Sequence, residues 1–209
     1  TGNTRRYGAS LEKIIKVVEP RPGEIMFGLN MIVNKGKTVF VGDTSVHEYP
    51  SSEQLAEIAI SSARVVRLFG FDPKVAFVSH STFGQPLTSR TRHIKKAVDI
   101  LKEKDVDFKF DGDMQPDVAL NNQYKELYPF SEIVGNANIL IMPGQHSAAI
   151  SYKMMRELGG AKVIGPLLVG LGQPIEIAPL RSSTSDILNL ASVAAYSADI
   201  IDYKKVKKN

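Results

Sequence analysis

Apolar residues recur at helical spacing in the first segment of the chain, where Leu11, Ile14, Ile15 and Val18 mark one face of residues 9–19. Pro20 and Pro22 end that helix, because proline lacks the amide hydrogen a helix interior needs. The next stretch, IMFGLNMIVNKGKTVFVGD, holds two apolar runs around Asn34-Lys35-Gly36-Lys37. It predicts a β-hairpin, with glycine supplying positive φ in the turn. A helix follows from Ser51 or Ser52, with a serine cap, an acidic first turn, and Leu55, Ile58, Ala59 and Ser62 on one face; Gly70 stops it.

The same alternation continues to the end. KVAFVSH reads as a strand, residues 79–89 as a Gly/Pro/Ser/Thr loop, and RTRHIKKAVDILKEK as a helix. DFKFDG is a short strand, MQPDVALNNQYKEL one helix, and ANILIMPG an apolar run of the kind buried on both faces. SAAISYKMMRELGG is a helix stopped by a glycine pair, and KVIGPLLVG a further buried strand with a Gly-Pro break. A last apolar stretch opens after Ser182-Ser183-Thr184-Ser185-Asp186. Strands alternating with helices predict an α/β fold of three αβα layers, its sheet largely parallel, with an antiparallel hairpin added. The pattern shows no internal repeat or linker, so residues 1–209 are treated as one domain.

Composition narrows the chemistry. The 209 residues are 43% hydrophobic and 23% charged, a globular balance, and contain no cysteine. A disulfide framework, a thiolate nucleophile and a cysteine zinc site are therefore excluded. No apolar run approaches the roughly 20 residues of a membrane span, and no signal-peptide core stands at the N-terminus; a cytoplasmic protein without membrane partners is expected. The chain does not begin with Met, which points to a piece of a longer protein. The net charge of +4 comes largely from Lys204, Lys205, Lys207 and Lys208, a tail too short to predict a nucleic-acid arm.

In open α/β sheets ligands bind beyond the carboxyl ends of the strands. These exits carry Thr44-Ser45-Val46-His47, Ser81-Thr82-Phe83-Gly84, Asp113, Gln145-His146-Ser147, and Arg181 with its hydroxyls. Brought together they would line a cleft rich in neutral donors with one or two arginines. Ser79-His80-Ser81 lacks the G-x-S-x-G elbow of a hydrolase, and neighbours in an extended chain point to opposite sides. DGDMQPD fails as a calcium loop, since Pro116 and Asn122 stand where Gly and Glu are needed. His47, His80, His93 and His146 show no zinc spacing, so no metal site is expected. GLGQP is no dinucleotide fingerprint, because Ile175 occupies its third glycine position. The helix start at Arg181–Asp186 is the better anion cradle. Arg181 can fork onto a phosphate, Ser182, Ser183 and Thr184 can donate, and Asp186 can cap or take a proton. The same residues also describe an ordinary capped helix.

Several segments taken in order resemble the phosphate acetyl- and butyryltransferases: DTSVHEYPSSEQLAEIA, KVAFVSHSTFG, DGDMQPDVAL, GNANILIMPGQHSAAISYKMMRELGG and VIGPLLVGLGQPI. TGNTRRYGASLEKI and GPLLVGLGQPIEIAPL…SDILNLASVAAY are particularly similar to the phosphotransacetylase-like C-terminal domain of bacterial NADP-dependent malic enzymes. The resemblance implies an αβα fold related to isocitrate and isopropylmalate dehydrogenases, usually dimeric. Acyltransferases of this family carry a Ser-Arg pair after the Gly-Pro strand, with an Asp six residues beyond the Arg. Counted from Gly165-Pro166, those positions fall on Pro179, Leu180 and Asp186. The aspartate is kept and the pair is not; Arg181 stands one residue out of register.

The expected function is therefore an acetyl-CoA-sensing and oligomerising domain of a malic enzyme, with Arg181, Ser182, Ser183 and Asp186 as ligand contacts. Ser79, Ser81 and Thr82 are expected from the neighbouring exit, and Arg5 and Arg6 as further contacts for CoA phosphates. NADP and Mg²⁺ or Mn²⁺ would belong to an N-terminal malic-enzyme module of the same chain, which oxidatively decarboxylates malate to pyruvate. The alternatives are a working acyltransferase that uses acyl phosphate, with Arg181 and Asp186 catalytic, and a purely structural dimerisation module.

Overall fold

A computed structural model describes residues 1–206; Lys207 and Lys208 of the basic tail lie outside the described residues. Helix α1 spans Tyr7–Ile15, starting two residues and ending four residues before the stretch that the apolar spacing predicts. Strands β1 (Phe27–Asn34) and β2 (Lys37–Gly42) form the expected hairpin. Lys35 and Gly36 both adopt positive φ, the I′ geometry whose twist matches that of the strands it joins. Helix α2 (Ser52–Leu68) starts in a capping box: the Ser51 hydroxyl accepts from the Gln54 amide and the Gln54 side chain accepts from the Ser51 amide. Strand β3 (Lys74–Val78), helix α3 (Ser89–Glu103) and strand β4 (Lys109–Met114) follow.

The predicted helix over MQPDVALNNQYKEL is broken. Only α4 (Pro116–Leu120) is α-helical, and Asn122–Tyr124 is a separate 3₁₀ turn. Asn121 is extended between them and its side-chain oxygen accepts from the Gln123 amide, the local competition that makes Asn a helix breaker. Strand β5 (Ile139–Ile141), helix α5 (Gln145–Gly159), strand β6 (Lys162–Val169) and helix α6 (Thr184–Val206) complete the chain.

All six strands join one sheet in the order β4-β3-β5-β2-β1-β6. The β2–β5, β3–β5 and β3–β4 pairs are parallel, and β1 runs antiparallel to both its neighbours. One core lies where α2 and α3 cover Phe27, Leu29, Phe40, Phe77 and Ile139. A second lies under α4 and α5, around Ile32, Val41, Ala76 and Leu140. Alternate residues of each strand thus serve opposite faces, which is why the central strands read as continuous apolar runs.

The prediction for KVIGPLLVG needs correction: β6 is an edge strand, and Lys162 is exposed. An apolar run looks alike at the edge and at the centre of a sheet. The edge is managed locally: Pro166 has no amide to offer, and the Leu168 amide donates to Glu176 Oε2 at 3.0 Å. Register shifts between Leu29 and Met31, where Asn30 lies against the Gly165-Pro166 step.

Candidate functional site

A cavity of about 630 Å³ opens beside the β6 edge, between α5 and the start of α6. Helix α5 presents Gln145, Ala149, Tyr152, Lys153 and Arg156 to it, a set whose spacing keeps it on one helical face. Strand β6 contributes Lys162 through Pro166, and the segment before α6 contributes Pro179, Leu180, Arg181, Ser182 and Asp186. Four cationic side chains, Lys153, Arg156, Lys162 and Arg181, thus face a single carboxylate, Asp186. Arg156 is shared with Glu157 at 2.7 Å, while Lys153, Lys162 and Arg181 have no ion-pair partner among the described residues.

The remaining wall is the loop after β2. Asp43, fully buried, organises it through one carboxylate: Oδ1 accepts the amides of Gly28, Ser45 and Val46 at 2.8–3.1 Å. Oδ2 accepts the His47 amide at 2.7 Å and lies 2.8 Å from His47 Nδ1. A buried carboxylate is tolerable only when its lone pairs are filled in this way. The loop is thereby fixed so that Thr44 and Ser45 line the cavity. Tyr7 reaches Ser45 Oγ at 3.5 Å, and burial pushes the Tyr7 hydroxyl pKa above its ordinary value. Burial raises that of Tyr152 as well.

The structure gathers some of the sequence-predicted residues and separates others. Arg181, Ser182 and Asp186 line the cavity, and Ser183 stands beside them at the helix start. Their hydroxyls are committed locally, however: Ser182 Oγ donates to the Pro179 carbonyl at 2.7 Å and Ser183 Oγ to Asp186 Oδ2 at 2.7 Å. The Ser183 amide also donates to Asp186 Oδ2, and the Asp186 amide donates back to Ser183 Oγ. This is a capping box, with Asp in the place Glu or Gln usually takes. The Ser183 hydrogen bonds hold the Asp186 carboxyl below its ordinary pKa, helped by the nearby charges of Lys162 and Arg156. Arg181 adopts positive φ and is exposed at the rim.

Ser79, Ser81 and Thr82 do not join this set. They are buried at the β3 exit, where Ser81 Oγ donates to Asp113 Oδ2 and the Gly84 amide to Asp113 Oδ1. A second Gly-Asp step, Gly112-Asp113, thus organises the β3 loop much as Gly42-Asp43 organises the β2 loop. Arg5 lines a separate depression beside α1, and Arg6, exposed, precedes that helix. No group of three or more His, Asp or Glu among the described residues could hold a metal ion. No described helix is long and apolar enough to cross a membrane.

Sequence reasoning missed Tyr152, Lys153, Arg156 and Lys162, and passed over Thr44 although its strand exit was noted. The signal available was the run of polar residues at α-helical spacing along SAAISYKMMRELGG, which the eye reads as the solvated face of an ordinary helix.

A doubly covered, mostly parallel sheet with a cation-lined cavity at its edge defines an α/β protein. Residues 1–195 match the family described as Phosphate acetyl/butaryl transferase, and the chain belongs to that family. It is 47% identical over 198 residues to an NADP-dependent malic enzyme of Rhizobium meliloti (strain 1021), covering 95% of this chain and 26% of that protein. It is 33% identical over 200 residues to a phosphate acetyltransferase of Bacillus subtilis (strain 168), covering 95% of this chain and 62% of that one. A phosphotransacetylase from Streptococcus pyogenes superposes with a TM-score of 0.89 at 28% identity, over 94% of this chain and 61% of that chain. The chain therefore spans about a quarter of its malic-enzyme relative and about three-fifths of the phosphotransacetylases.

Proposed function

We propose that this chain is the acyl-CoA-binding, regulatory and oligomerising part of an NADP-dependent malic enzyme. Its likeness to the Rhizobium meliloti enzyme supports the parentage. The observation that carries the binding role is the cavity itself. Four cations line it, so it suits a polyanionic ligand, while Pro179 and Leu180 occupy the wall where the acyltransferase Ser-Arg pair would stand. Those two side chains supply no donor for charge developing during acyl transfer, so the site is suited to binding without turnover. NADP, a divalent metal and malate would be handled by the larger remainder of such a protein. Calorimetry with acetyl-CoA tests the reading. Saturable binding, weakened by Arg181→Ala, is expected; absence of heat at millimolar ligand would sink it.

One observation favours a second reading, a working phosphate acyltransferase. Arg181 lines the cavity one residue from the expected arginine position and is unpaired among the described residues. A CoA-release assay with acetyl phosphate decides: turnover abolished by Arg181→Ala would establish catalysis by this chain.

Self-association belongs to the proposal because two helices leave apolar faces open. On α5, Ile150, Met154 and Leu158 are 58%, 54% and 82% exposed at i, i+4 and i+8. On α6, Ile187, Leu188 and Tyr196 are also exposed. A second copy of the chain is the occupant proposed for them.

A further inference from the structure

A second cavity, of about 360 Å³, lies on the α2 face of the sheet, between α2, the end of β6 and the middle of α6. A buried cluster of Leu167, Ala178 and Leu190 stands between it and the cation-lined cavity, which α5 walls on the other face. Val65, Phe69, Leu167, Leu171 and Val193 give the second cavity apolar walls. Three arginines line it, and two are committed elsewhere. Arg64 donates to Glu24 Oε1 at 2.7 Å and to Ser61 Oγ at 3.0 Å. Arg67 donates to Asp107 Oδ1 and to the Asp107 carbonyl, both at 2.9 Å. The Arg21 guanidinium has no partner among the described residues. Its backbone is fixed beside the end of β6, where the Arg21 amide donates to the Gly170 carbonyl at 2.8 Å and Pro20 bridges Leu171.

The balance of free charge sets the ligand. Glu24 is neutralised by Arg64, and the Tyr196 hydroxyl donates to the Leu68 carbonyl at 3.3 Å. Glu176 Oε2 accepts the Leu168 amide, and burial raises its pKa to about 8. At neutral pH that side chain therefore presents a protonated carboxyl in the wall and not a repelling charge. What remains is one uncommitted cation beside an apolar cavity. A single carboxylate on an apolar body fits it, because the guanidinium fork matches a carboxylate and the walls gain from covering hydrocarbon. A polyphosphate does not fit, since its other charges would lose water against apolar walls without meeting a cation. An amine is repelled by Arg21 and finds no free carboxylate. The volume stands at the small end of ligand cavities, which sets the size at that of a compact acid.

We infer that this cavity is a second ligand site, separate from the cation-lined one, and that it takes a small monocarboxylate with an apolar body. The carboxylate sits on Arg21, and the hydrocarbon lies against Val65, Phe69 and Val193.

The test titrates the unmodified chain by calorimetry with three probes: octanoate, 1-octanol, which has the chain without the carboxylate, and acetate, which has the carboxylate without the chain. Octanoate is expected to bind saturably, and about tenfold more tightly than octanol, the gain that a charge-assisted fork supplies. Acetate should give no saturable heat. In Arg21→Ala the affinity for octanoate should fall to that for octanol, while the affinity for octanol stays as it was; Arg21→Lys should restore part of the difference. Arg21 packs at the surface of the cavity and its side chain supports no other contact, so the variant is expected to fold, which an unchanged circular dichroism spectrum checks. Val193→Trp, which fills the cavity, should weaken octanoate and octanol together. Absence of octanoate binding at millimolar ligand would overturn the inference. So would equal affinity for octanoate and octanol, or an octanoate affinity that survives Arg21→Ala.

Discussion

Replacing Glu176 by Gln should remove most of the pH dependence of stability between pH 5 and pH 9. The Glu176 side chain sits in the apolar segment that covers the β6 edge, and its Oε2 accepts the Leu168 amide at 3.0 Å. Burial raises its pKa from the ordinary 4.5 to about 8, against the pull of that amide. A carboxyl whose folded pKa lies above its unfolded one favours the fold in its protonated form. Its contribution is full below pH 4.5 and is lost as the pH climbs through 8. Each unit of that window is worth about 1.4 kcal/mol, so the whole corresponds to about 5 kcal/mol. Glu176 keeps some solvent contact, and screening brings the expected loss to about 2–3 kcal/mol. Glutamine keeps an oxygen to accept from Leu168 and has no proton to release. Urea unfolding followed by circular dichroism from pH 5 to 9 should show the wild-type free energy falling with pH while Glu176→Gln declines less. The two proteins should be close at pH 5, and the variant more stable at pH 9. Parallel curves across the range would refute the reasoning.

Ser183→Ala should cost about 1 kcal/mol by dismantling the α6 capping box. Because Ser183 is the main cause of the depressed Asp186 pKa, that stabilisation exists above the ordinary carboxyl range and is lost as the pH falls. The penalty measured by denaturation should therefore be larger at pH 7 than at pH 2.5. Replacing Ile150, Met154 and Leu158 together by Gln should lower the mass measured by light scattering to that of one chain without lowering the unfolding temperature of the monomer. An unchanged mass would remove α5 from the proposed interface.

Much of the architecture was legible because local signals agreed. A capping serine marked where α2 begins, the Lys35-Gly36 turn fixed the hairpin, and period-two burial on both faces produced continuous apolar strands. What escaped is set by tertiary position. The sequence of β6 does not say that it lies at an edge. Glu176, one charge inside PIEIAP, gains its meaning only from the Leu168 amide that the edge leaves free. The candidate site was legible at Arg181–Asp186, where a helix start announces itself in four or five consecutive residues. It was illegible at Tyr152, one aromatic letter in a segment that reads as an ordinary helix. Nor could Lys153, Arg156 and Lys162 be chosen from twenty-six basic residues before α5 and β6 were set beside α6. The expected grouping of Ser79, Ser81 and Thr82 with Arg181 failed for a related reason. In the strand order β4-β3-β5-β2-β1-β6, three strands separate β3 from β6, so their exits serve different parts of the sheet end.

That separation also bears on why binding and catalysis can part company in such a chain. Acyl transfer requires contacts that strengthen as charge builds between the two reacting groups, and those must come from donors aimed at the changing atoms. On the reading proposed above, the rim cations hold phosphates that are equally charged before and during any reaction. That is uniform binding, which tightens the complex without lowering a barrier. Pro179 and Leu180 leave the intervening wall without a donor side chain, and Ser182 and Ser183 have turned their hydroxyls inward to the Pro179 carbonyl and to Asp186. On that same proposed reading, a cavity of this composition would hold its ligand without donors aimed at a transition state, which is the division of labour a sensor of acyl-CoA needs.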